Sequence, residues 1–219
     1  MSRKGLIIFA REPLPGKVKT RLAAAIGDTA AAGLYEAMLQ DVLGISRKIM
    51  DVETIVFWDC EESGLQPLAD RYRCSSCRQA DGDLGQRMQA AFTEMFDNGY
   101  QQCCIIGSDI PDLPPDYIQE AFDLLAAEKA DSIFGPSADG GYYLLGLTRM
   151  IPQLFTNIEW STPLVLRQSL EAAREAGATT ALLPVWHDID TREDLNSFME
   201  RSTMLFADQT KTAAMAAAL

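Results

Sequence analysis

The sequence predicts an α/β fold, a single three-layer α/β/α domain around a mixed, mostly parallel central sheet. Continuous apolar runs of strand length, at residues 5–10 and 103–107, are typical of strands buried on both faces. Segments with apolar residues at three- and four-residue spacing alternate with such runs, which is the order of βα units. No helix fits between residues 134 and 142, so we expect an antiparallel connection there and a mixed sheet.

Length and composition favour one domain. The 219 residues are 47% apolar, which is enough for one substantial core, and the chain shows neither an internal repeat nor an interdomain linker. We expect the domain to span residues 1–201. The Ala-rich residues 202–219 are predicted to form a C-terminal tail, either a loose helix or a frayed end.

The charge of the chain limits its partners. The 31 acidic residues outnumber the 19 basic ones, and the net charge of -12 repels polyanions, so nucleic acid is not an expected partner. No apolar run approaches the roughly 20 residues that cross a bilayer, and the N-terminus lacks a signal-peptide pattern. We therefore expect a cytoplasmic protein without a membrane span. The oligomeric state is left open.

The five cysteines are an odd number in a chain expected to be cytoplasmic, which argues against a disulfide framework. Cys74 and Cys77 form one Cys-x-x-Cys pair, which is compatible with half a zinc site or a redox pair. A tetrahedral zinc site is hard to assemble, because there is no second such pair and only one histidine. We interpret the pair as ordinary strand cysteines and place Cys103 and Cys104 in the core.

The elements of the first half follow in βα order. The first strand, at residues 5–10, runs into a basic loop at 11–22, after which a helix begins. That helix is indicated by apolar residues on one face, namely Leu34, Met38, Val42, Ile45 and Ile49. We then predict a strand at 54–58, a helix around 65–72, a strand near 74–79, and a turn at 81–83 that opens another helix.

The second half continues this order with one hairpin. The strand at 103–107 ends just before Asp109, and Asp112 is interpreted as a helix-start residue ahead of Pro114. After the hairpin, hydroxyl residues at 161–162 are predicted to cap a helix that runs to about Ala176. The remaining predictions are a last strand at 180–186 and a capping box at 191–194 that opens the last helix.

The loop at residues 11–21 is a first candidate site. Gly16 permits close approach of the backbone to a ligand, and Lys19 and Arg21 can neutralise phosphate next to a helix N-terminus. The loop has neither the Walker A nor the Rossmann glycine spacing. From the residues alone it is either a phosphate-binding loop or a solvated basic loop.

Carboxylates at the ends of two strands are a second candidate site. Mg²⁺ takes one or two protein carboxylates together with water and phosphate oxygens, so Asp109 could suffice as a ligand. It could equally be a turn or cap aspartate. His187, Asp188 and Asp190 could complete a metal site, or they could end the strand and cap the next helix.

Asp139, followed by Gly140 and Gly141, is a third candidate site. The paired glycines permit close backbone approach, and the carboxylate could orient an acceptor hydroxyl or act as a general base. A plain hairpin turn would use the same three residues. Both interpretations are kept.

Six motifs, in this order, resemble one family. They are PGKVKTRL at 15–22, GDLGQRM at 82–88, IGSDIPDL at 106–113, GPSADGGYYLLGL at 135–147, EWSTP at 159–163 and DIDTREDL at 188–195. The set resembles a family of bacterial glycosyltransferases in the nucleotide-diphospho-sugar transferase superfamily, with the GT-A fold, some of them assigned to arsenosugar biosynthesis. The resemblance covers about residues 4–200. Molybdenum-cofactor and phospholactate guanylyltransferases are more distantly similar.

The resemblance implies a nucleotide over the first half of the sheet. The residues that it places near the nucleotide are Ala10, Arg11, Gly16, Lys19, Arg21, Gly82, Leu84, Gly85, Arg87 and Trp160. Asp109 corresponds to the metal-binding aspartate of the family, and the second ligand of Mg²⁺ or Mn²⁺ is expected at Asp190 or His187, with Asp188 as a further candidate.

The resulting hypothesis is a metal-dependent transferase that moves a glycosyl group from a nucleotide-sugar to a small acceptor. Asp139 is assigned to acceptor activation, Lys19 and Arg21 to charge stabilisation, and Tyr142 and Trp160 to the sugar ring. One alternative is a nucleotidylyltransferase that joins an NTP to a phosphorylated small molecule. The chain lacks the Gly-x-Gly-x-Arg signature of that group, which favours glycosyl transfer. The other alternative is a non-catalytic nucleotide-binding module.

Overall fold

The computed structural model describes residues 2–204 and 210–219. Its centre is a seven-stranded sheet in the order β3-β2-β1-β4-β6-β5-β7. Among the described strands only β6 runs antiparallel to its neighbours, which confirms the predicted mixed, mostly parallel sheet. The strands are β1 Lys4–Arg11, β2 Val52–Asp59, β3 Ser75–Arg78, β4 Gln102–Gly107, β5 Ser132–Pro136, β6 Tyr142–Leu147 and β7 Thr180–Leu182.

Helices cover both faces of the sheet and complete the three layers. One core packs α2, α3 and α5 against the sheet, and a second core packs α4, α6 and a 3₁₀ turn at Pro152–Phe155 against the other face. The helices are α1 Thr20–Ile26, α2 Asp28–Ser46, α3 Glu62–Tyr72, α4 Leu84–Asp97, α5 Pro115–Ala126, α6 Val165–Glu175, α7 Arg192–Met204 and α8 Lys211–Ala216.

The central strands are buried on both faces, as their continuous apolar runs predict. In β1, Leu6 and Ile8 pack into the core under α2, whereas Ile7 between them packs into the core under α4. Cys103 and Cys104 in β4 are fully buried, one in each core, which confirms their predicted place. Successive side chains alternate between the faces of a strand, so a run buried throughout needs helices on both sides.

Three boundaries differ from the prediction. The helix after the basic loop is divided into α1 and α2 by Gly27, whose φ of 88° lies outside the helical region. The predicted hydroxyl cap of α6 is wrong, because Ser161 has a φ of 63° and the N-cap is Leu164. The last strand is shorter than predicted, because the regular ladder ends at Leu182, although the Leu183 and Trp186 amides still donate to the Phe134 and Pro136 carbonyls of β5.

The C-terminal segment contains two helices. The predicted capping box is confirmed, because Asp194 accepts from the Thr191 amide and the Thr191 hydroxyl accepts from the Asp194 amide. The predicted division at residues 201/202 falls inside α7, and residues 205–209 of the predicted tail lie outside the described residues. Further on, α8 packs on α2, where Asp41 accepts from the Lys211 and Thr212 amides. Within the two described ranges, none of the helices has the length and apolar character that crossing a bilayer requires.

Candidate active site

Two adjoining cavities open at the carboxyl ends of β1 and β4, where open α/β sheets place their ligands. The first cavity, of about 580 Å³, lies towards β2. The second, of about 470 Å³, lies towards the β5–β6 hairpin and the start of α6. Five residues line both cavities and form their junction: Leu84, Gly107, Asp109, Ser161 and Asp190.

A buried lysine stands at this junction between two carboxylates. The ammonium of Lys19 lies 2.9 Å from Asp109 Oδ2 and 2.8 Å from Asp190 Oδ1, and its side chain is only 6% exposed. Arg21 reaches the other oxygen of Asp190 at 3.2 Å. Gly107 is required beside this cluster, because a Cβ there would lie 2.6 Å from Asp109 Oδ1. The basic loop and the two strand-end carboxylates, about 90 and 170 residues apart in sequence, therefore meet at one point.

The pKa values of Lys19 and Asp190 favour the charged forms. Burial alone would lower the pKa of Lys19, but Asp109 and Asp190 raise it above its ordinary value. Burial likewise tends to raise the pKa of Asp190, and Lys19 and Arg21 lower it below its ordinary range. The cluster is therefore an ion-paired group at neutral pH.

Backbone contacts fix the two carboxylates relative to each other. The Ile189 amide donates to the Asp109 carbonyl at 3.0 Å, which joins the loop after β4 to the loop before α7. The Asp190 amide donates to Asp194 Oδ2 at 3.1 Å, so the capping box of α7 also holds the end of that loop. Asp190 is thus positioned by the main chain as well as by Lys19.

The first cavity contains three basic side chains that are paired with carboxylates. Arg11, Lys19 and Arg87 line it, and Asp59 at the end of β2 holds both arginines, at 3.3 Å from Arg11 Nε and 3.0 Å from Arg87 Nη1. Arg87 Nε also donates to the Gly82 carbonyl at 2.9 Å. Sequence reasoning missed Asp59. Its position directly after the predicted strand at 54–58 was the available signal.

Three further polar residues line the first cavity and were not predicted. The Arg11 amide donates to the Tyr35 hydroxyl at 2.8 Å, and that hydroxyl lies 2.8 Å from Ser108 Oγ. Gln79 donates its side-chain amide to the Ala10 and Phe57 carbonyls, at 3.2 and 2.8 Å. Ser108 lies within a motif that the resemblance identifies, whereas Tyr35 and Gln79 carry no local signal in the sequence.

The second cavity is acidic and aromatic. Among the described residues that line it, Arg21 is the one basic side chain, against the carboxylates of Asp109, Asp139, Asp188 and Asp190. Its aromatic residues are Tyr142, Tyr143 and Trp160. Burial, together with repulsion from Asp109 and Asp139, raises the pKa of Asp188 to about 6. Asp188 accepts from Ser137 Oγ at 3.2 Å.

The turn that carries Asp139 closes one side of the second cavity. Asp139 Oδ1 accepts from the Gly141 amide at 3.0 Å, as in a hairpin turn, and its exposed carboxylate also lines the cavity. Gly140 has a φ of 93°, and a Cβ there would lie 2.4 Å from the Pro163 carbonyl oxygen. The hairpin therefore packs directly on the chain before α6, and both interpretations of Asp139 are compatible with the geometry.

Most predicted site residues line the two cavities. The first cavity contains Ala10, Arg11, Lys19, Gly82, Leu84 and Arg87. The second contains Arg21, Asp139 and Trp160, and the junction contains Asp109 and Asp190.

Three predicted residues line neither cavity: Gly16, Gly85 and His187. Gly85 lies against Trp160, because a Cβ there would approach the indole ring to 2.7 Å. His187 is exposed. The interpretation of Asp112 as a helix-start residue is wrong, because Pro114 is the N-cap of α5 and Asp112 is buried against Trp186 and Arg201.

The junction carboxylates fit a hard divalent cation. Asp109 and Asp190 direct oxygens at the Lys19 ammonium, so an ion at this point would take the place of that ammonium. Mg²⁺ or Mn²⁺ takes one or two carboxylates with water and phosphate oxygens. Across residues 2–204 and 210–219, no group of three or more His, Cys, Asp and Glu side chains is arranged to hold a metal. An ion here would therefore use two protein carboxylates and take its remaining ligands from water and substrate.

This sheet order and the site at its carboxyl edge define an α/β protein with the nucleotide-diphospho-sugar transferase fold. A protein from Desulfovibrio desulfuricans G20, provisionally identified as a nucleotide-diphospho-sugar transferase, superposes with a TM-score of 0.92 at 32% identity, covering 98% of this chain and 94% of that one. The chain belongs to the bacterial family DUF2064, described as an uncharacterized protein conserved in bacteria, whose model matches residues 47–162. The resemblance to the superfamily is thereby confirmed.

More distant solved structures share the fold. CMP:2-keto-3-deoxy-manno-octonic acid synthetase in complex with CTP superposes with a TM-score of 0.59 at 15% identity, over 95% of this chain and 100% of that one. Molybdopterin-guanine dinucleotide biosynthesis protein A from Archaeoglobus fulgidus superposes with a TM-score of 0.56 at 14% identity, over 91% of this chain and 99% of that one. No curated protein matches the sequence.

Proposed function

We propose that this protein is a metal-dependent glycosyltransferase that moves a sugar from a nucleotide-sugar to a hydroxyl of a small acceptor. The observation that carries the proposal is the difference in charge between the two cavities, which meet at Asp109 and Asp190: the first contains three basic side chains paired with carboxylates, and the second contains carboxylates without such partners. A nucleotide-sugar has the same asymmetry, since its nucleoside diphosphate is anionic and its sugar is neutral.

The first cavity suits the nucleoside diphosphate. Its volume of about 580 Å³ is within the range of small-ligand sites, and Arg11, Lys19 and Arg87 supply positive charge in an otherwise acidic protein. Asp59 and the junction carboxylates hold these cations in fixed positions, so little side-chain ordering remains to be completed on binding.

The second cavity suits a neutral polyhydroxyl group better than a phosphorylated one. Besides the shared Asp109 and Asp190, a phosphate there would face Asp139 and Asp188, with Arg21 as the single basic side chain among the described lining residues. Carboxylate oxygens accept hydrogen bonds from hydroxyls, and rings such as Trp160 and Tyr142 offer apolar faces to a sugar. This charge balance favours glycosyl transfer over the transfer of a nucleotidyl group to a phosphorylated acceptor.

The roles follow from position. Asp109 and Asp190 would hold Mg²⁺ or Mn²⁺, which would offset negative charge on the departing diphosphate. Lys19 and Arg21, both paired with Asp190, add positive charge at the junction. Asp139, exposed at the wall of the second cavity, is assigned to accept the proton of the attacking hydroxyl.

Nucleotidylyl transfer is the second candidate, favoured by the names of the two distant structures that share the fold. The relative from Desulfovibrio, far closer in sequence, is named for nucleotide-sugar transfer instead. A non-catalytic nucleotide-binding module is the third.

Product analysis separates the three candidates. The protein is incubated with Mg²⁺ or Mn²⁺, a mixture of small sugars, polyols and sugar phosphates, and either nucleotide-sugars or NTPs. Release of a nucleoside diphosphate from a nucleotide-sugar supports the proposal, and release of pyrophosphate from an NTP with a sugar phosphate supports the second candidate. Binding of a nucleotide, detected as a rise in melting temperature, without turnover in any mixture would leave the non-catalytic module.

A further inference from the structure

A short hydrogen-bonded row of polar groups ends at the wall of the first cavity. The Arg11 amide lies 2.8 Å from the Tyr35 hydroxyl, which lies 2.8 Å from Ser108 Oγ. Tyr35 and Ser108 both line the cavity, although they are only 4% and 5% exposed. The row therefore connects the backbone of β1, through α2, to the residue that precedes Asp109.

One hydrogen bond joins the two hydroxyls of this row. A backbone amide can only donate, so the Tyr35 oxygen accepts from Arg11. Between the two hydroxyls either oxygen could donate, and one of the two protons is left over in both cases. We assign Tyr35 as the donor, since Ser108 Oγ is the one acceptor within reach of the phenol proton among the described residues. Burial raises the pKa of Tyr35, so the phenol keeps its proton.

The Ser108 hydroxyl proton is consequently left over. Within the described part of the chain no other group lies in hydrogen-bond reach of Ser108 Oγ. The hydroxyl lines the same cavity as Lys19 and Arg11, where positive charge gathers. A phosphate oxygen accepts hydrogen bonds and carries negative charge, so it matches both a spare donor and its basic neighbours.

We propose that Ser108 donates a hydrogen bond to a phosphate oxygen of the bound nucleotide, and that Tyr35 is a positioning residue that orients the Ser108 hydroxyl. The identity of the ligand as a nucleotide rests on the proposed function. The assignment of the bond to a phosphate, and of Tyr35 to a role exerted through Ser108, goes beyond it.

The test measures binding rather than turnover. ADP, CDP, GDP and UDP are titrated into the wild-type protein with Mg²⁺, and binding is followed by ligand-observed NMR. The diphosphate that binds most tightly is then compared with its own nucleoside. The variants are Ser108→Ala, Tyr35→Phe and the double variant, and a thermal melt of each without ligand checks that it folds.

Ser108→Ala is expected to weaken diphosphate binding about tenfold or more, since a hydrogen bond to a charged group is lost, and to leave nucleoside binding within about twofold. Tyr35→Phe is expected to weaken diphosphate binding about three- to tenfold. The double variant should bind no worse than Ser108→Ala, because Tyr35 acts through a hydroxyl that is already absent.

Three results would overturn the inference: unchanged diphosphate binding in Ser108→Ala, an equal loss for the nucleoside, or losses that multiply in the double variant. If Tyr35→Phe does not fold, the comparison of diphosphate with nucleoside in Ser108→Ala still decides the contact. If the wild-type protein binds none of the four diphosphates, the proposed function fails and this inference with it. Wild-type binding with an unaffected Ser108→Ala variant refutes the inference alone.

Discussion

The two cavities differ in how their charges are compensated. In the first, each lining cation has a carboxylate partner: Arg11 and Arg87 share Asp59, and Lys19 lies between Asp109 and Asp190. In the second, Asp139 and Asp188 have no cation within salt-bridge distance among the described residues, and the pKa of Asp188 is raised to about 6. The cations of the first cavity are therefore all paired in salt bridges, whereas the second cavity carries an excess of negative charge.

This difference indicates how a ligand with one anionic end would be oriented. Cations held by carboxylates keep fixed positions, and a phosphate that enters takes over part of their hydrogen bonding. Uncompensated carboxylates repel phosphate, so the same ligand is disfavoured in the reverse orientation. The junction at Asp109 and Asp190 is where the two environments meet, and it is the place to perturb first.

The largest expected effect is that of Asp109→Asn, which removes the charge at the junction. We expect turnover of the nucleotide-sugar to fall by about 10²–10³-fold, the usual loss when one group that stabilises transition-state charge is removed. Release of nucleoside diphosphate measures the effect. Asp97→Asn, an exposed change at the end of α4, is the matched control and should leave the rate unaltered. Full metal-dependent turnover in Asp109→Asn would contradict the proposed mechanism.

Gly85→Ala should disturb the second cavity and spare the first. A Cβ at residue 85 would lie 2.7 Å from the Trp160 ring and 2.8 Å from the Phe155 carbonyl oxygen, so both the indole and the 3₁₀ turn that ends at Phe155 must shift relative to α4. We expect kcat/KM for the nucleotide-sugar to fall about tenfold, because a displaced side chain misplaces the sugar, while nucleoside diphosphate affinity stays within about twofold.

The control for that variant is Gly44→Ala in α2, where a Cβ would meet no atom within 4 Å. It should leave both kcat/KM and diphosphate affinity unaltered. Equal losses of diphosphate affinity and of turnover in Gly85→Ala would show that the two cavities do not act separately.

The fold was predictable because its strands carry local signals. The buried strands β1 and β4 are continuous apolar runs, and the lack of room for a helix before Tyr142 predicts the antiparallel pair of β5 and β6. The break between α1 and α2 had a local signal in Gly27, a residue that readily adopts a positive φ, but the apolar periodicity predicted one helix across it. The late start of α6 follows a positive φ at Ser161, which its sequence does not indicate.

The site was predictable where a charged residue follows a strand or a turn. Lys19, Asp109 and Asp190 were found in this way, and the structure brings them together. Tyr35 was not found, because a tyrosine within an apolar helix face looks like any core residue, and its role depends on a partner 73 residues away. Asp112 was misinterpreted for the same reason, since its partner Arg201 lies on α7.

Asp188→Asn tests the charge excess of the second cavity through stability. Because the pKa of Asp188 is raised to about 6 in the folded protein, protonation of this carboxylate stabilises the fold. The contribution is fully present below the pKa that Asp188 has in the unfolded chain, and it is lost as the pH rises through 6. The amide side chain of the Asp188→Asn variant is neutral at every pH, so the variant does not have to bury a charge. We expect the variant to melt about 2–4 °C above wild type at pH 8, which is about 1 kcal/mol for a chain of this size.

At pH 4 that difference in melting temperature should vanish, because Asp188 is then protonated in the wild type as well. Calorimetric melts across pH 4–8 measure it. If the difference in melting temperature is the same at every pH, the Asp188 carboxylate is not destabilised by its neighbours. The difference in charge between the two cavities would then lose its main support.

Arg21→Gln should have the smallest effect, although Arg21 and Lys19 share the same carboxylate. Arg21 is 71% exposed at the rim and contacts Asp190 at 3.2 Å, whereas Lys19 is buried between two carboxylates. Exposed ion pairs contribute little and are screened by salt, so we expect kcat/KM to fall about twofold at low salt and to match wild type near 0.5 M NaCl. Steady-state kinetics at the two salt concentrations measure this. A loss of tenfold or more that persists in high salt would place the Arg21 guanidinium on the substrate itself, and the positive charge of the site would then extend into the second cavity.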